Sequence, residues 1–274
     1  MWSSRCPERK AGSPPARGRL RFISDREVAF TLIEVMVVIV ILTLLLSGIA
    51  LPLAAQLQMR RAEETRRALG EGREALLGFA AAHGRLPCPA SESSAGEESF
   101  AAGGDASNGN CSHFYDGFLP AATLGLSPLD TQGFMRDAWG SPRNRVRYAV
   151  FGGGSSVGGV VNPFTRIGGM RNATLPALGA EPHYVYICST GAAANASGCG
   201  PAANQLTRRA AFVLLSLGAN APATPAAGSD EARNLAGAPV FVYREAAGDG
   251  FDDIVQWTPV HLVVNRLLSA GLLP

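Results

Sequence analysis

The sequence predicts an α+β fold with a long N-terminal helix, a set of short β-strands and a short helix near the C-terminus. Three observations support it. An apolar run over residues 30–51 is followed by helical periodicity to about residue 83. Four or five short segments rich in Val, Tyr, Phe and Ile come next, bounded by Gly, Pro and Asn. A second apolar helical pattern lies near the C-terminus.

The apolar run from Phe30 to Leu51 holds one ionisable residue, Glu34. As a helix it extends roughly 33 Å at about 1.5 Å per residue, and a bilayer core is about 30 Å thick. Residues 30–52 are therefore predicted to form a transmembrane helix. A carboxylate inside a span costs about 2.5 kcal/mol or more. Glu34 is thus a functional candidate, unless it lies at the interface and reaches headgroup water.

Charge sets the predicted orientation of this span. Residues 1–29 hold seven basic and three acidic residues, a surplus of four positive charges, whereas the whole chain has a net charge of +2. Basic residues that precede a span remain cytoplasmic, so the rest of the chain is predicted to face the periplasm. That remainder carries a net charge of −2, which gives no reason to expect nucleic-acid binding.

The order of residues around position 30 is specific. Arg26-Glu27-Val28-Ala29 ends the basic leader, and the string from Phe30 to Glu34 reads Phe-Thr-Leu-Ile-Glu before the apolar run continues. This closely resembles the signal of type IV prepilins and type II secretion pseudopilins. The family normally has Gly at the position before the cut, where this chain has Ala29.

The resemblance implies a type IV pilin-like fold, in which the long N-terminal helix packs on an antiparallel β-sheet. It implies that a prepilin peptidase removes residues 1–29 and methylates the amine of Phe30. It implies an assembly role for Glu34, paired with the Phe30 amine of a neighbouring subunit. The expected partners are other pilin or pseudopilin subunits, the peptidase and the bacterial inner membrane, with filament assembly after processing. The rival interpretation is a secretory signal peptide cleaved near Ala54-Ala55.

Residues 53–84 continue the helix as an amphipathic, periplasmic half. Pro52 and Gly48 introduce a kink or flexibility between the two halves. Gly84 suits a helix C-cap, and Pro87 stops the helix. The predicted buried face recurs at steps of three and four residues: Ala62, Thr65, Leu69, Gly72, Leu76, Phe79 and His83.

Cysteine counting agrees with a periplasmic domain. Loss of the leader removes Cys6 and leaves four cysteines, an even number that suits an oxidising compartment. Three connectivities exist, and we predict the two local pairs, Cys88–Cys111 and Cys188–Cys199. Zinc is the alternative, because His83 and His113 lie near the first pair and His183 near the second, although the spacings match no standard zinc site.

The globular domain is predicted over residues 85–274. Gly, Ser, Ala and Asn dominate from Ala90 to Asn110, which predicts a long surface loop. The segment Asp137-Ala-Trp-Gly-Ser-Pro142, followed by Tyr148, resembles a turn and strand of pseudopilins, with Ala138 where that family has Pro. We interpret it as architecture, because Asp and Gly suit a turn and Trp139 can cover the core.

Strands are predicted at about residues 144–151, 183–188, 210–217, 239–244 and 253–258. The closing helix begins with Thr258 as N-cap and Pro259 at its first position, and Gly271 ends it. Its apolar face has five members: Val260, Val263, Val264, Leu267 and Leu268.

Three carboxylates, Asp249, Asp252 and Asp253, precede the last strand. Major pseudopilins bind calcium in a comparable loop, and oxygen-rich loops suit calcium in general. The preceding loop, residues 216–221, lacks the acidic run of that family. We therefore favour ordinary turn carboxylates over a calcium site and expect no cofactor.

The sequence shows no Ser/His/Asp or Cys/His arrangement that indicates catalysis, so we predict a non-enzymatic protein. The predicted function is that of a minor pilin or pseudopilin in a type IV pilus or type II secretion filament. Two alternatives belong to another class: an adhesion or binding module at a filament tip that uses the loop 90–110, or a membrane-anchored periplasmic binding protein.

Overall fold

The computed structural model describes residues 31–221, 224–245 and 250–274, without the side chains of residues 46–53. Ala29, Phe30 and Asp249 lie outside these ranges. The chain divides into two compact units, Met1–Pro52 and Leu53–Pro274.

The described elements are five α-helices, eight β-strands and one 3₁₀ turn. The helices are α1 (Leu32–His83), α2 (Gly169–Asn172), α3 (Leu175–Ala180), α4 (Asp230–Asn234) and α5 (Val260–Ser269). The strands are β1 (Gly117–Phe118), β2 (Arg147–Val150), β3 (Ser156–Val157), β4 (Val160–Val161), β5 (Val185–Cys188), β6 (Gln205–Ser216), β7 (Val240–Val242) and β8 (Ile254–Pro259). The 3₁₀ turn, Ala202–Asn204, leads directly into β6.

The fold of the second unit is α+β, as predicted. Six strands form one sheet in the order β1-β2-β6-β5-β7, with β8 also paired to β6. The 12-residue β6 is the central strand and pairs antiparallel with β2, β5 and β8. A separate two-stranded hairpin joins β3 to β4.

The sheet is mixed, so the prediction of a wholly antiparallel sheet is wrong at one place. β5 and β7 are parallel, with Tyr186 opposite Val240 and Ile187 opposite Phe241. A parallel pair needs a long crossover connection, and here the chain between the two strands contains β6 and α4. Strand composition does not reveal pairing direction, because both arrangements bury the same apolar residues.

Each of the five segments predicted as strands contains one in the structure. The largest difference is at β6, which begins at Gln205 instead of residue 210. Residues 205–209 alternate in exposure and include polar side chains, whereas the run from Ala210 is continuously buried. The apolar run therefore predicted the core half of this strand and missed its solvent-facing half.

The face of α1 that packs in the second unit follows the predicted stripe as far as Leu76. Thr65, Leu69 and Leu76 are fully buried, and a Cβ at Gly72 would lie 3.0 Å from Leu119. Beyond Leu76 the buried positions are Leu77 and Ala80.

The last two members of that predicted stripe are not buried. Phe79 is only partly buried and His83 is exposed, so the prediction is wrong for His83. The two rings stack with centroids 4.0 Å apart at the helix end. Gly84 follows with a φ of 68°, in the left-handed region that favours glycine after a helix.

The closing helix α5 begins one residue later than predicted. Pro259 is its N-cap, and Thr258 is buried within β8 instead of capping the helix. Val260, Val263 and Leu267 are buried as predicted, but Leu268 is 38% exposed. Gly271 has a φ of 71° just beyond the helix end, in agreement with the predicted stop.

Candidate functional site

In the first unit, α1 begins at Leu32, just after Thr31. The backbone N–H of Glu34 lies 3.0 Å from the Thr31 carbonyl and 3.3 Å from Thr31 Oγ1, which places Glu34 in the first helical turn. Twelve large apolar side chains between residues 32 and 45 are each 46–85% exposed. This part of the helix therefore presents an apolar surface on every side.

Among the residues described, no helix holds an apolar stretch long enough to cross a membrane. The predicted span of residues 30–52 extends beyond the described part of the chain, because Phe30 and the side chains of residues 46–53 lie outside it. The predicted processing site, Ala29 and Phe30, lies wholly outside.

In the second unit, the four remaining cysteines form two disulfides. Cys88 is bonded to Cys111 and Cys188 to Cys199, with Cα–Cα distances of 5.3 and 5.4 Å. These are the two local pairs that the sequence predicts, and a zinc site at these cysteines is therefore not formed. All four cysteines are buried.

A buried ion pair lies beside the first disulfide. Arg85 donates two hydrogen bonds to the carboxylate of Glu98, at 2.8 and 2.7 Å, and the N–H of Cys88 donates to the same carboxylate at 3.2 Å. The guanidinium also lies over the rings of Phe79 and Phe100, 5.2 and 5.8 Å from their centroids. The N-terminal part of the loop 90–110 is thereby tied to the end of α1.

The turn that begins at Asp137 joins α1 to the sheet. Asp137 is buried, and its carboxylate accepts hydrogen bonds from Ser216 at 2.6 Å and Asn144 at 2.9 Å. The next residue, Ala138, donates its N–H to Thr65 Oγ1 at 3.1 Å. Burial raises the pKa of Asp137. Because every one of these contacts lies inside the domain, they support the interpretation of this motif as architecture.

Two of the three predicted calcium candidates meet a third carboxylate that the sequence did not indicate. Glu231 of α4 joins Asp252 and Asp253, so that one carboxylate oxygen from each lies within 4.8 Å of the others. Asp253 is buried, whereas Glu231 and Asp252 are partly exposed. We refer to these three residues as the carboxylate cluster.

Two asparagines donate hydrogen bonds to the carboxylate cluster. Asn220 Nδ2 donates to Glu231 Oε1 at 2.7 Å, and Asn234 Nδ2 donates to Asp253 Oδ2 at 2.7 Å. Asn234 also exchanges hydrogen bonds with both backbone groups of Val242 in β7. The cluster therefore links α4, the loop after β6 and the edge of β7.

Burial disfavours the charged forms of the two aspartates. It raises the pKa of Asp253 to about 7, against the opposing effect of the hydrogen bond from Asn234. Burial also raises the pKa of Asp252, against hydrogen bonds from the N–H groups of Asn220 and Ala219. The neighbouring negative charge of Glu231 raises both values further. The cluster is thus suited to bind a proton or a cation.

The chemistry of the donor set fits a hard cation. Calcium takes six to eight oxygen ligands, and three carboxylates converge here. Asp252 Oδ1 is buried and accepts no hydrogen bond within the described residues. The amide nitrogen of Asn220 donates to both Glu231 and the carbonyl of Gly250. A calcium ion would therefore be held by Glu231, Asp252 and Asp253.

Sequence reasoning missed Glu231 and Asn234. Glu231 precedes Asp252 by about twenty residues and lies on a short helix, so no local spacing connects the two. The signal that exists is weaker: Ser229 followed by Asp230 and Glu231 is typical of a helix start. Ser229 Oγ does accept the N–H of Ala232 at 3.1 Å.

The chain matches no family model, no curated protein and no solved structure.

Proposed function

We propose that this protein is a type IV pilin-like subunit, a minor pilin or pseudopilin anchored in the bacterial inner membrane with a periplasmic C-terminal domain. The string from Phe30 to Glu34, placed between a basic leader and an apolar helix, carries the proposal. Prepilin peptidase removes residues 1–29, and the processed subunit joins a filament through its N-terminal helix.

The exposed surface of the first unit supports this role. Soluble monomers rarely expose large contiguous apolar patches, which mark membrane or protein contacts. The residues from Leu32 to Leu45 expose apolar side chains on all sides of the helix. A helix that is apolar all round is buried in a membrane or in a bundle of other helices, and a pilin-like helix occupies both environments in turn.

The α+β architecture of the second unit is compatible with the same assignment. Residues of α1 from Thr65 to Ala80 pack as an amphipathic helix in the core that also contains the sheet. Two disulfides suit a periplasmic domain. The function proposed is structural and does not require catalysis.

Glu34 has a specific role in this proposal. No basic side chain lies between Phe30 and Leu51 to neutralise it. Cleavage before Phe30 creates a positive amine, and a neighbouring subunit shifted along the filament brings its own amine to Glu34. The ion pair then satisfies two charges inside an apolar bundle.

The test is the N-terminus of the mature protein. Intact-mass and N-terminal peptide analysis of membrane-fraction protein should show a chain that begins at methylated Phe30. Ala29→Gly should also be processed, whereas Ala29→Arg, which places a bulky charged residue before the cut, should accumulate unprocessed. A mature N-terminus near Ala55 would overturn the proposal and establish a secretory signal peptide.

A further inference from the structure

An open cavity of about 520 Å³ lies beside β1 and is separate from the carboxylate cluster. This volume falls within the usual range of small-molecule pockets, about 300–1,000 Å³. Its lining combines opposite charges with apolar surface and includes Glu92, His113, Asp116, Phe118, Arg147 and Leu235.

The walls of the cavity are held by backbone contacts and a disulfide. Ala90 and Phe118 exchange backbone hydrogen bonds at 2.8 and 2.9 Å, which join the start of the loop 90–110 to β1. The Cys88–Cys111 disulfide closes the same region. Arg147 in β2 lies opposite Phe118 in the sheet register, and its guanidinium is 5.1 Å from the centre of that ring.

Arg147 has few partners for a partly buried cation. Its Nη1 donates to the carbonyl of Asp116 at 3.2 Å, and its Nε is buried without a hydrogen bond within the described residues. Over the same residues, no carboxylate oxygen lies within 4.0 Å of the guanidinium. A guanidinium carries five N–H donors, and a buried charge is normally paired. The group is therefore available to bind an anion.

Negative charges near Arg147 restrict the kind of anion. Asp116 and Glu92 act on the guanidinium electrostatically, as does Asp253, although none of the three pairs with it. Asp116 and Glu92 are exposed on the cavity lining, and one oxygen of Asp116 is 3.0 Å from His113 Nδ1. They repel a simple anion and attract an ammonium group. Phe118 and Leu235 add apolar surface to the same lining.

We propose that this cavity binds a small zwitterion, a free amino acid or a short peptide. Arg147 pairs with the ligand carboxylate, and Glu92 and Asp116 receive its ammonium group. The ligand side chain packs on Phe118 and Leu235. This proposal concerns the periplasmic unit alone and does not depend on filament assembly.

The probes are the free amino acids and the dipeptide Leu-Leu, tested on the detergent-solubilised full chain by thermal shift and then by calorimetry. At least one probe should raise the unfolding temperature. For leucine, the matched half-ligands are 4-methylpentanoate, which lacks the amine, and 3-methylbutylamine, which lacks the carboxylate. If leucine is bound, each half-ligand should bind on the order of thirtyfold more weakly. Corresponding deaminated and decarboxylated analogues serve for any other amino acid that binds.

Variants test which charged side chains of the cavity bind the carboxylate and the ammonium group of the ligand. Arg147→Met should weaken binding on the order of thirtyfold, whether or not loss of its contacts with Phe118 and the Asp116 carbonyl lowers the unfolding temperature of the ligand-free protein. Glu92→Gln, at an exposed position that does not endanger folding, should weaken the zwitterion but not the carboxylate half-ligand. Arg208→Met, at an exposed arginine outside the cavity, should change neither.

Three results would overturn the proposal: no probe binds, the carboxylate half-ligand binds as tightly as the zwitterion, or Glu92→Gln binds like the unmodified protein. A fall in the unfolding temperature of ligand-free Arg147→Met, with binding unchanged, would instead make Arg147 a structural residue.

Discussion

Arg85 and Glu98 form a two-hydrogen-bond ion pair whose side chains are only 6% and 18% exposed. The pair lies where α1 ends and the Cys88–Cys111 loop begins, so it joins helix and loop at one point. The guanidinium of Arg85 lies over the rings of Phe79 and Phe100. The N–H of Cys88 donates a hydrogen bond to the Glu98 carboxylate.

Loss of one member of this pair should destabilise the second unit strongly. Glu98→Gln leaves Arg85 buried and uncompensated, and we expect it to lower the free energy of unfolding by about 3 kcal/mol. Urea denaturation measures the change. The double variant Arg85→Met/Glu98→Gln should recover part of the loss, and Glu97→Gln at the exposed neighbouring position is the control. If the double variant loses as much as the single variants Arg85→Met and Glu98→Gln together, the pair is not coupled.

The two disulfides should stabilise to similar extents. The sequence separations of 23 and 11 residues correspond to about 3 kcal/mol each in the chain-entropy model, with the longer loop slightly favoured. The pairs Cys88→Ser/Cys111→Ser and Cys188→Ser/Cys199→Ser should each lower the urea midpoint. Peptide mapping without reductant should recover only the two local pairs. Any crossed peptide, such as one linking Cys88 to Cys188, would contradict the assignment.

Thr65 should contribute through the hydrogen bond that it accepts from Ala138. Thr65→Val removes the acceptor at constant shape and leaves the Ala138 N–H unpaired, which we expect to cost about 1–3 kcal/mol. Thr65→Ser keeps the hydroxyl and should lose less. Equilibrium unfolding of both variants decides the question. A larger loss for Thr65→Ser than for Thr65→Val would show that the Thr65 methyl group, and not its hydroxyl, is what matters.

The carboxylate cluster should make stability depend on pH. Because the pKa of Asp253 is raised in the folded state to about 7, the folded protein binds more protons than the unfolded chain between about pH 4 and pH 7. The free energy of unfolding should therefore fall as pH rises through this window, by at most about 4 kcal/mol.

Asp253→Asn keeps an acceptor for Asn234 and should remove most of that slope, with greater stability at pH 8. Urea midpoints measured from pH 4 to pH 8 test it, with Glu97→Gln as the control. Calcium at pH 8 should raise the unfolding temperature of the unmodified protein more than that of Asp253→Asn if the cluster holds the ion. Equal slopes in both proteins would exclude Asp253 as the titrating group.

Glu34 should act in assembly and not in folding. Its side chain is exposed in the first turn of α1, so a substitution there removes no buried contact among the described residues. Glu34→Gln should therefore leave insertion and disulfide formation intact but reduce recovery in sheared filaments or with partner subunits. Thr43→Val in the same helix is the matched control. Incorporation of Glu34→Gln at the unmodified level would leave Glu34 without an assembly role.

Local sequence patterns determined much of this protein. Helical periodicity gave the buried stripe of α1 as far as Leu76, because residues three and four apart share a helix face. Short runs rich in β-branched residues predicted the positions of five strands of the sheet: β2, β5, β6, β7 and β8. The two disulfides were also predictable, since each joins cysteines that are neighbours along the chain.

Only the tertiary structure decided the rest. The parallel pairing of β5 with β7, the meeting of Glu231 with Asp252 and Asp253, and the position of Arg147 beside Phe118 each join segments about twenty or more residues apart. Such contacts depend on how the chain closes its loops and on which side chains the sheet brings together. These long-range contacts produce no periodic pattern in the sequence, because the same residues can be buried in more than one pairing of strands.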